Sequence, residues 1–247
     1  MSKSTEALWE TREHLDVSRQ IAEDLRDTIN DALVPAIGRD PGGLATAWVA
    51  ADGTLERVSI APDWNDAATL GEAVETAYLS ALQRRTASLT EDKVEEVLDR
   101  RHETAPPAPA YERPVRRLDD HMRQVGVSWA DPQIGRGVDN LIHQVVQTAS
   151  AARQEVTRAR QLTWTAAHGP VTVEVNCTGL MIAVAFGPDA KDSGPQALGV
   201  HVVEALRDAK ARAAAGVDEM TPNYQRLQQM IADTKDPVRL LGLLQEA

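Results

Sequence analysis

The side chains that carry enzyme chemistry are present in this chain but are not arranged for it. The six histidines stand at positions 14, 102, 121, 143, 168 and 201, without a metal-ligand spacing, and no HExxH, CxxC or Walker loop occurs. Cys177 is the single cysteine, so no internal disulfide can form and no thiolate cluster has its ligands. It adjoins a hairpin signal and has no base beside it. Asp63 with Asp66, and Asp189 with Asp192, make two carboxylate pairs. Each pair follows a strand-like run and precedes a helical one, where turn formation and capping account for acids. The pattern predicts a protein that is not an enzyme, with no cofactor, no metal and no evident small-molecule substrate. The remaining spaced chemistry is cationic. Between Ala151 and Thr165 stand Arg153, Arg158 and Arg160 against one acid, Glu155. Phosphates along a nucleic-acid backbone ask only for correctly spaced cations. The net charge of −11 weighs against a uniformly positive surface and leaves room for a local patch.

The elements that must position these residues can be read from periodicity. Residues 5–34 carry Leu8, Leu15, Ile21, Leu25, Ile29 and Leu33 as a helical stripe, with Thr5 as N-cap. Two short runs, 44–51 and 54–61, are joined by Asp52-Gly53, a hairpin signal because glycine reaches positive φ without strain. A helical pattern follows from Leu70 to about Arg101. Residues 103–114 contain four prolines and read as an extended spacer. Residues 115–135 read as a short helix and a loop. A helix at 137–160, strand-like runs at 161–167, 170–176 and 180–187, and a helix at 197–215 come next. Residues 221–247 read as two short helices split at Asp236-Pro237.

Sliding the sequence over itself by 126 residues reveals a repeat. Gly43, Thr46, Val49, Gly53, Val58, Pro62, Asp63 and Asp66 meet identical residues at Gly169, Thr172, Val175, Gly179, Val184, Pro188, Asp189 and Asp192. After a two-residue insertion, Leu70-Gly71, Val74, Ala77, Ala81 and Arg84 meet Leu198-Gly199, Val202, Ala205, Ala209 and Arg212. Each copy is small and gains core by packing on its twin. The expected fold is α+β: two tandem units, each helix, antiparallel strands and helix, packed as a pseudo-dimer with extra C-terminal helices. The divisions are 1–101 for the first unit, 102–136 for the proline-rich linker and loop, 137–215 for the second unit, and 216–247 for the extension. Pro35–Gly43 does not read as a strand, so the first copy is expected to lack the strand that opens the sheet in the second.

The order of elements resembles the YbaB/EbfC family of nucleoid-associated proteins, in a tandem, actinobacterial-like form. The second copy carries the resemblance. Ala151-Ala152-Arg153-Gln154-Glu155-Val156 leads into His168-Gly169-Pro170 and the alternating strand Val171–Asn176. Thr178-Gly179-Leu180, a strand ending Phe186-Gly187-Pro188-Asp189 and the helix from Leu198 to Arg212 complete it. Members of that family pair as homodimers and bind DNA with little sequence preference, through basic residues on helices near the dimer ends. The resemblance therefore implies weak, largely non-specific DNA binding through phosphates, with Arg153, Arg158, Arg160, Arg207, Lys210 and Arg212 in the second copy and Arg84 and Arg85 in the first. The bland alternative for each is a solvated helix face with pairs such as Glu204–Arg207 or Asp208–Arg212. Residues 1–42 hold five basic and nine acidic residues, so the first copy's lead helix should repel DNA.

A second reading is a protein-interaction adaptor or chaperone without a nucleic-acid role; the resemblance to YbaB-like units of actinobacterial proteins implies one version linked to type VII secretion. The acidic charge, the linker and the extension motivate it, and Trp129 would be its partner anchor, against packing on its own domain surface. A homo-oligomeric scaffold is a third. Trp48 and Trp164 are expected on sheet faces and Trp64 at the join between units. The N-terminus lacks an apolar signal core and no stretch approaches about 20 apolar residues, so the expectation is a cytoplasmic protein without membrane contact, nucleoid-associated if it binds DNA.

Overall fold

The structure, a computed structural model, describes residues 33–87 and 112–246. They fall into two compact units. One is α/β and holds residues 33–87 and 158–220. The other is helical and holds residues 112–157 and 221–246. Among the described residues no helix is long and apolar enough to cross a membrane.

In the α/β unit, strands β1 (Ala36–Arg39), β2 (Ala45–Val49) and β3 (Leu55–Ile60) form an antiparallel sheet in that order, followed by helix α1 (Ala67–Arg85). Chain order then brings two helices, α2 (Glu112–Gln124) and α3 (Pro132–Ala159), whose residues to Thr157 belong to the helical unit. Strands β4 (Thr163–His168), β5 (Val171–Asn176) and β6 (Met181–Phe186) form a second antiparallel sheet, followed by helix α4 (Ala190–Met220). Helix α4 is kinked at Gly194, which stands at φ +73° before Pro195. Helices α5 (Pro222–Asp233) and α6 (Pro237–Glu246) close the chain, split at Asp236-Pro237 as the sequence predicts.

The two sheet-and-helix halves share one core. Strand alternation buries Ala45, Ala47 and Val49 in one sheet and Val171, Val173 and Val175 in the other. Helix α1 covers β1 and β2 and reaches β6 of the other sheet, while α4 covers β4 and β5 and reaches β3. The crossing is reciprocal at atomic scale. A Cβ added at Gly71 would lie 2.2 Å from the Val184 carbonyl oxygen, and one at Gly199 would lie 2.1 Å from that of Val58. These four residues are the repeat's own pairs, Gly71 with Gly199 and Val58 with Val184. Both sheets also break register at the same place, between Trp48 and Val49 and between Glu174 and Val175.

The first half does have an opening strand. Ala36–Arg39 pairs with β2 from Ala36 opposite Val49 to Arg39 opposite Thr46. The sequence hides it because the strand is four residues long and contains Gly38, a poor strand former. The glycine is there for proximity: a Cβ would stand 2.0 Å from the Ala77 carbonyl oxygen and 2.2 Å from the Ala81 nitrogen of α1. The proline-rich spacer is also shorter than its composition suggests. Helix α2 starts at Glu112, and Pro114 falls in its first turn, where a missing N–H costs nothing. Of the predicted helix over 5–34 only residues 33–34 are described, and they are not helical. The rest of that helix, the stretch 88–101 and most of the spacer lie outside the described residues.

The helical unit has its own core. Leu118 and Met122 of α2, Ile134, Val138 and Leu141 of α3, and Leu240, Leu241 and Leu244 of α6 are all buried. Gly137 lets α3 meet α6, since a Cβ there would lie 1.9 Å from the Leu244 carbonyl oxygen.

Candidate nucleic-acid interface

The two hairpins of the α/β unit turn by the same chemistry. Gly53 and Gly179 both hold positive φ, +87° and +75°. Gly53 N donates to Ala50 O at 3.0 Å and Ala50 N to Thr54 O at 2.9 Å; Gly179 N donates to Asn176 O at 2.9 Å and Asn176 N to Leu180 O at 3.0 Å. Asp52 and Asn176 brace the turns with their side chains, the first accepting from Thr54 N at 2.8 Å and the second from Thr178 N at 2.9 Å and Leu180 N at 3.0 Å.

Cations gather at this hairpin end of the two sheets. The Lys210 side chain passes over Gly179, whose added Cβ would touch Lys210 Cγ at 3.2 Å, and its ammonium reaches Gly53 O at 3.5 Å. Arg85 donates to Ala51 O at 3.2 Å from the end of α1. Arg84 donates to Ile37 O at 3.0 Å, and Arg212 to Thr165 O at 2.9 Å. These are equivalent bonds, one from each half, to an edge strand near its start. Arg158 and Arg160 stand where the chain enters β4, whose first residue pairs with Asn176 of the hairpin. Six of the eight predicted basic residues therefore share one end of the α/β unit.

They are not equally available. Arg84, Arg158, Arg160 and Arg212 are exposed, while Arg85 and Lys210 are half-buried. Arg158 and Arg160 have no ion pair among the described residues. Arg84 and Arg212 each commit a donor to a carbonyl, and a guanidinium has five. Burial pushes the Lys210 ammonium below the usual lysine range, with Arg85 adding to the fall and Asp52 opposing it. The Asp52 carboxyl is held down chiefly by its bonds from Thr54, with Lys210 and Arg85 assisting.

Two candidates remain, Arg207 and Arg153. Arg207 is exposed and pairs with Glu204 on its own helix, the arrangement expected of a solvated face. Arg153 is exposed on α3 within the helical unit. Trp129 lies in the loop between α2 and α3, half-buried against the helical core. Trp48 lies under the Arg57 guanidinium, 3.7 Å from its ring centroid, and Trp64 meets Phe186 across the join of the two halves at 6.5 Å between centroids. Of the two carboxylate pairs, Asp66 caps α1, accepting from Thr69 N at 2.7 Å.

One residue in the basic stretch is easily misread. Glu155, its single acid, is buried and turned inward. It accepts from Asn223 N at 3.0 Å, Asn223 Nδ2 at 2.6 Å and Tyr224 N at 3.3 Å, capping α5. The arginines around it are therefore the charges that the stretch presents to solvent. The spacing carried this signal: Thr148, Ala152, Glu155 and Ala159 recur at helical intervals and are all buried.

A scan against family models tests the resemblance directly. Residues 136–226 match the YbaB/EbfC DNA-binding family. The match runs from α3 through β4–β6 and α4 into the first turn of α5, so the matched segment is the second copy with the start of the extension. The family resemblance read from the sequence is borne out there, as is the α+β class. Neither the curated proteins nor the solved structures give a match.

Proposed function

We propose that this protein binds DNA weakly and largely without sequence preference, through phosphate contacts at the hairpin end of its α/β unit. The YbaB/EbfC match supports DNA as the ligand. The convergence of Arg84, Arg85, Arg158, Arg160, Lys210 and Arg212 on one end of two paired sheets carries the site assignment. The two halves take the part that two subunits take in a homodimer: reciprocal glycine contacts join them, and each sends an arginine to the same position on its edge strand. Arg153 and Arg207 contribute less, the first from the helical unit and the second while paired with Glu204.

The test is anisotropy of labelled duplexes of unrelated sequence at about 50 and 200 mM salt. Each phosphate contact contributes about 0.9 to the slope of log K against log salt. The expected result is binding that ignores sequence, falls steeply with salt and drops at least tenfold in R158E/R160E. Wild-type affinity in that variant would sink the site. No binding at the lower salt would sink the function and turn the search to protein partners.

A further inference from the structure

Away from the hairpin end, the DNA reading leaves one pair of side chains unused. His168 ends β4 and His201 lies on α4. Their Nδ1 atoms are 2.8 Å apart, with ring centroids at 5.0 Å and planes tilted by 39°. His168 is exposed and His201 half-buried, so the space around the pair is open to solvent. The intervening turn is shaped to the ring. Gly169 stands at φ +55°, and an added Cβ would lie 3.0 Å from Cε1 and Nε2 of His201.

Two imidazoles with the same nitrogen 2.8 Å apart can share either a proton or a metal ion. A first-row divalent ion binds imidazole nitrogen at about 2.0–2.1 Å, so donors 2.8 Å apart subtend about 86° at the ion. That is close to the right angle of tetragonal or octahedral coordination. A tetrahedral zinc site would hold the same atoms about 3.3 Å apart. Imidazole donors with near-right angles suit Cu(II) and Ni(II).

We propose that His168 and His201 chelate a Cu(II) or Ni(II) ion between β4 and α4, with water in the remaining positions. No group of three or more His, Cys, Asp or Glu ligands occurs among the described residues, so within them the two imidazoles are the side-chain ligands of the site. The first half is a built-in control. Strand pairing puts Asp40 where the second half has His168, and the helix repeat puts Ala73 where it has His201. The Asp40 carboxylate is occupied in its own turn, accepting from Ala45 N at 2.6 Å. The chelate belongs to the second half alone.

The experiment is titration of the full chain with Cu²⁺, Ni²⁺ and Zn²⁺ by equilibrium dialysis, with electron paramagnetic resonance of the copper form. The expected result is a site that takes copper most tightly and nickel at least as well as zinc, with nitrogen hyperfine coupling. H168Q and H201Q should each weaken copper at least tenfold and reduce that coupling, while H143Q leaves both unchanged. H168Q replaces an exposed residue and keeps the test independent of folding. Copper affinity and spectrum unchanged in both H168Q and H201Q would overturn the proposal, leaving the pair as a hydrogen bond only. Zinc binding well above nickel would overturn the tetragonal assignment.

Discussion

Where the second half of the α/β unit carries Lys210, the first carries Leu82; where the first carries Arg85, the second carries Ala213. His168 and His201 stand opposite Asp40 and Ala73. Against these differences, the glycines at each crossing, the hairpin bonds and the strand irregularities coincide. Backbone contacts closer than a methyl group tolerate no variation, because overpacking there forces main chain apart. The side chains that differ carry no such backbone contact, and they range from exposed at His168 through half-buried at Arg85 and Lys210 to buried at Ala213 and Ala73. The lesson is that the frame stays symmetric while the chemistry laid on it does not.

The sharpest way to break the comparison is at its shared contact. Gly71→Val and Gly199→Val should each destabilise by about 3 kcal/mol or more, since each pushes a side chain into a carbonyl of the other half. Urea unfolding checks this. A large loss in one and none in the other would show that the halves do not lean on each other equally.

Glu155 sharpens the comparison from the second copy's lead helix. Glu155→Ala leaves two backbone donors at the start of α5 without their acceptor, and should cost about 2 kcal/mol. Loss of helical signal at lower urea than in the wild type is the expected reading.

Lys210 tests what divergence costs. Its folded-state pKa lies below the ordinary 10.5, so between those two values the unfolded chain binds more protons and stability rises with pH. Lys210→Leu, which places the first half's residue there, should remove that rise and stabilise the protein at neutral pH by about 0.5 kcal/mol after solvent screening, while weakening DNA binding. Stability curves from pH 8 to 11 on both proteins decide it.

The smallest effect belongs to Asp66. The bonds from Thr69 to its carboxylate hold its pKa below the ordinary 3.8. Its stabilisation is present above that value and fades as pH falls through the folded-state pKa. Asp66→Ala should therefore lower the melting temperature slightly at neutral pH and converge with the wild type in acid.

Much of this was legible in the residues. The repeat, the two hairpins and the second sheet follow from glycine positions and alternation, and the split at Asp236-Pro237 from a residue that cannot continue a helix. Strand β1 was not, because Ala36–Arg39 has too few residues for a period and a glycine at its centre. The candidate site was legible as a set of residue types but not as a place. Arg84, Lys210 and Arg160 are far apart in the chain, and their meeting depends on which hairpin each helix crosses.

The sequence by itself determined the local conformations: where glycine permits a tight turn, where alternation permits a strand, where periodicity permits a helix. Those are short-range consequences of sterics and of the burial of apolar side chains. Tertiary structure alone decided that α1 reaches the second sheet and α4 the first, that Glu155 meets the start of α5, and that two histidines 33 residues apart come within 2.8 Å of each other. Such outcomes depend on packing between distant segments, which no local pattern encodes.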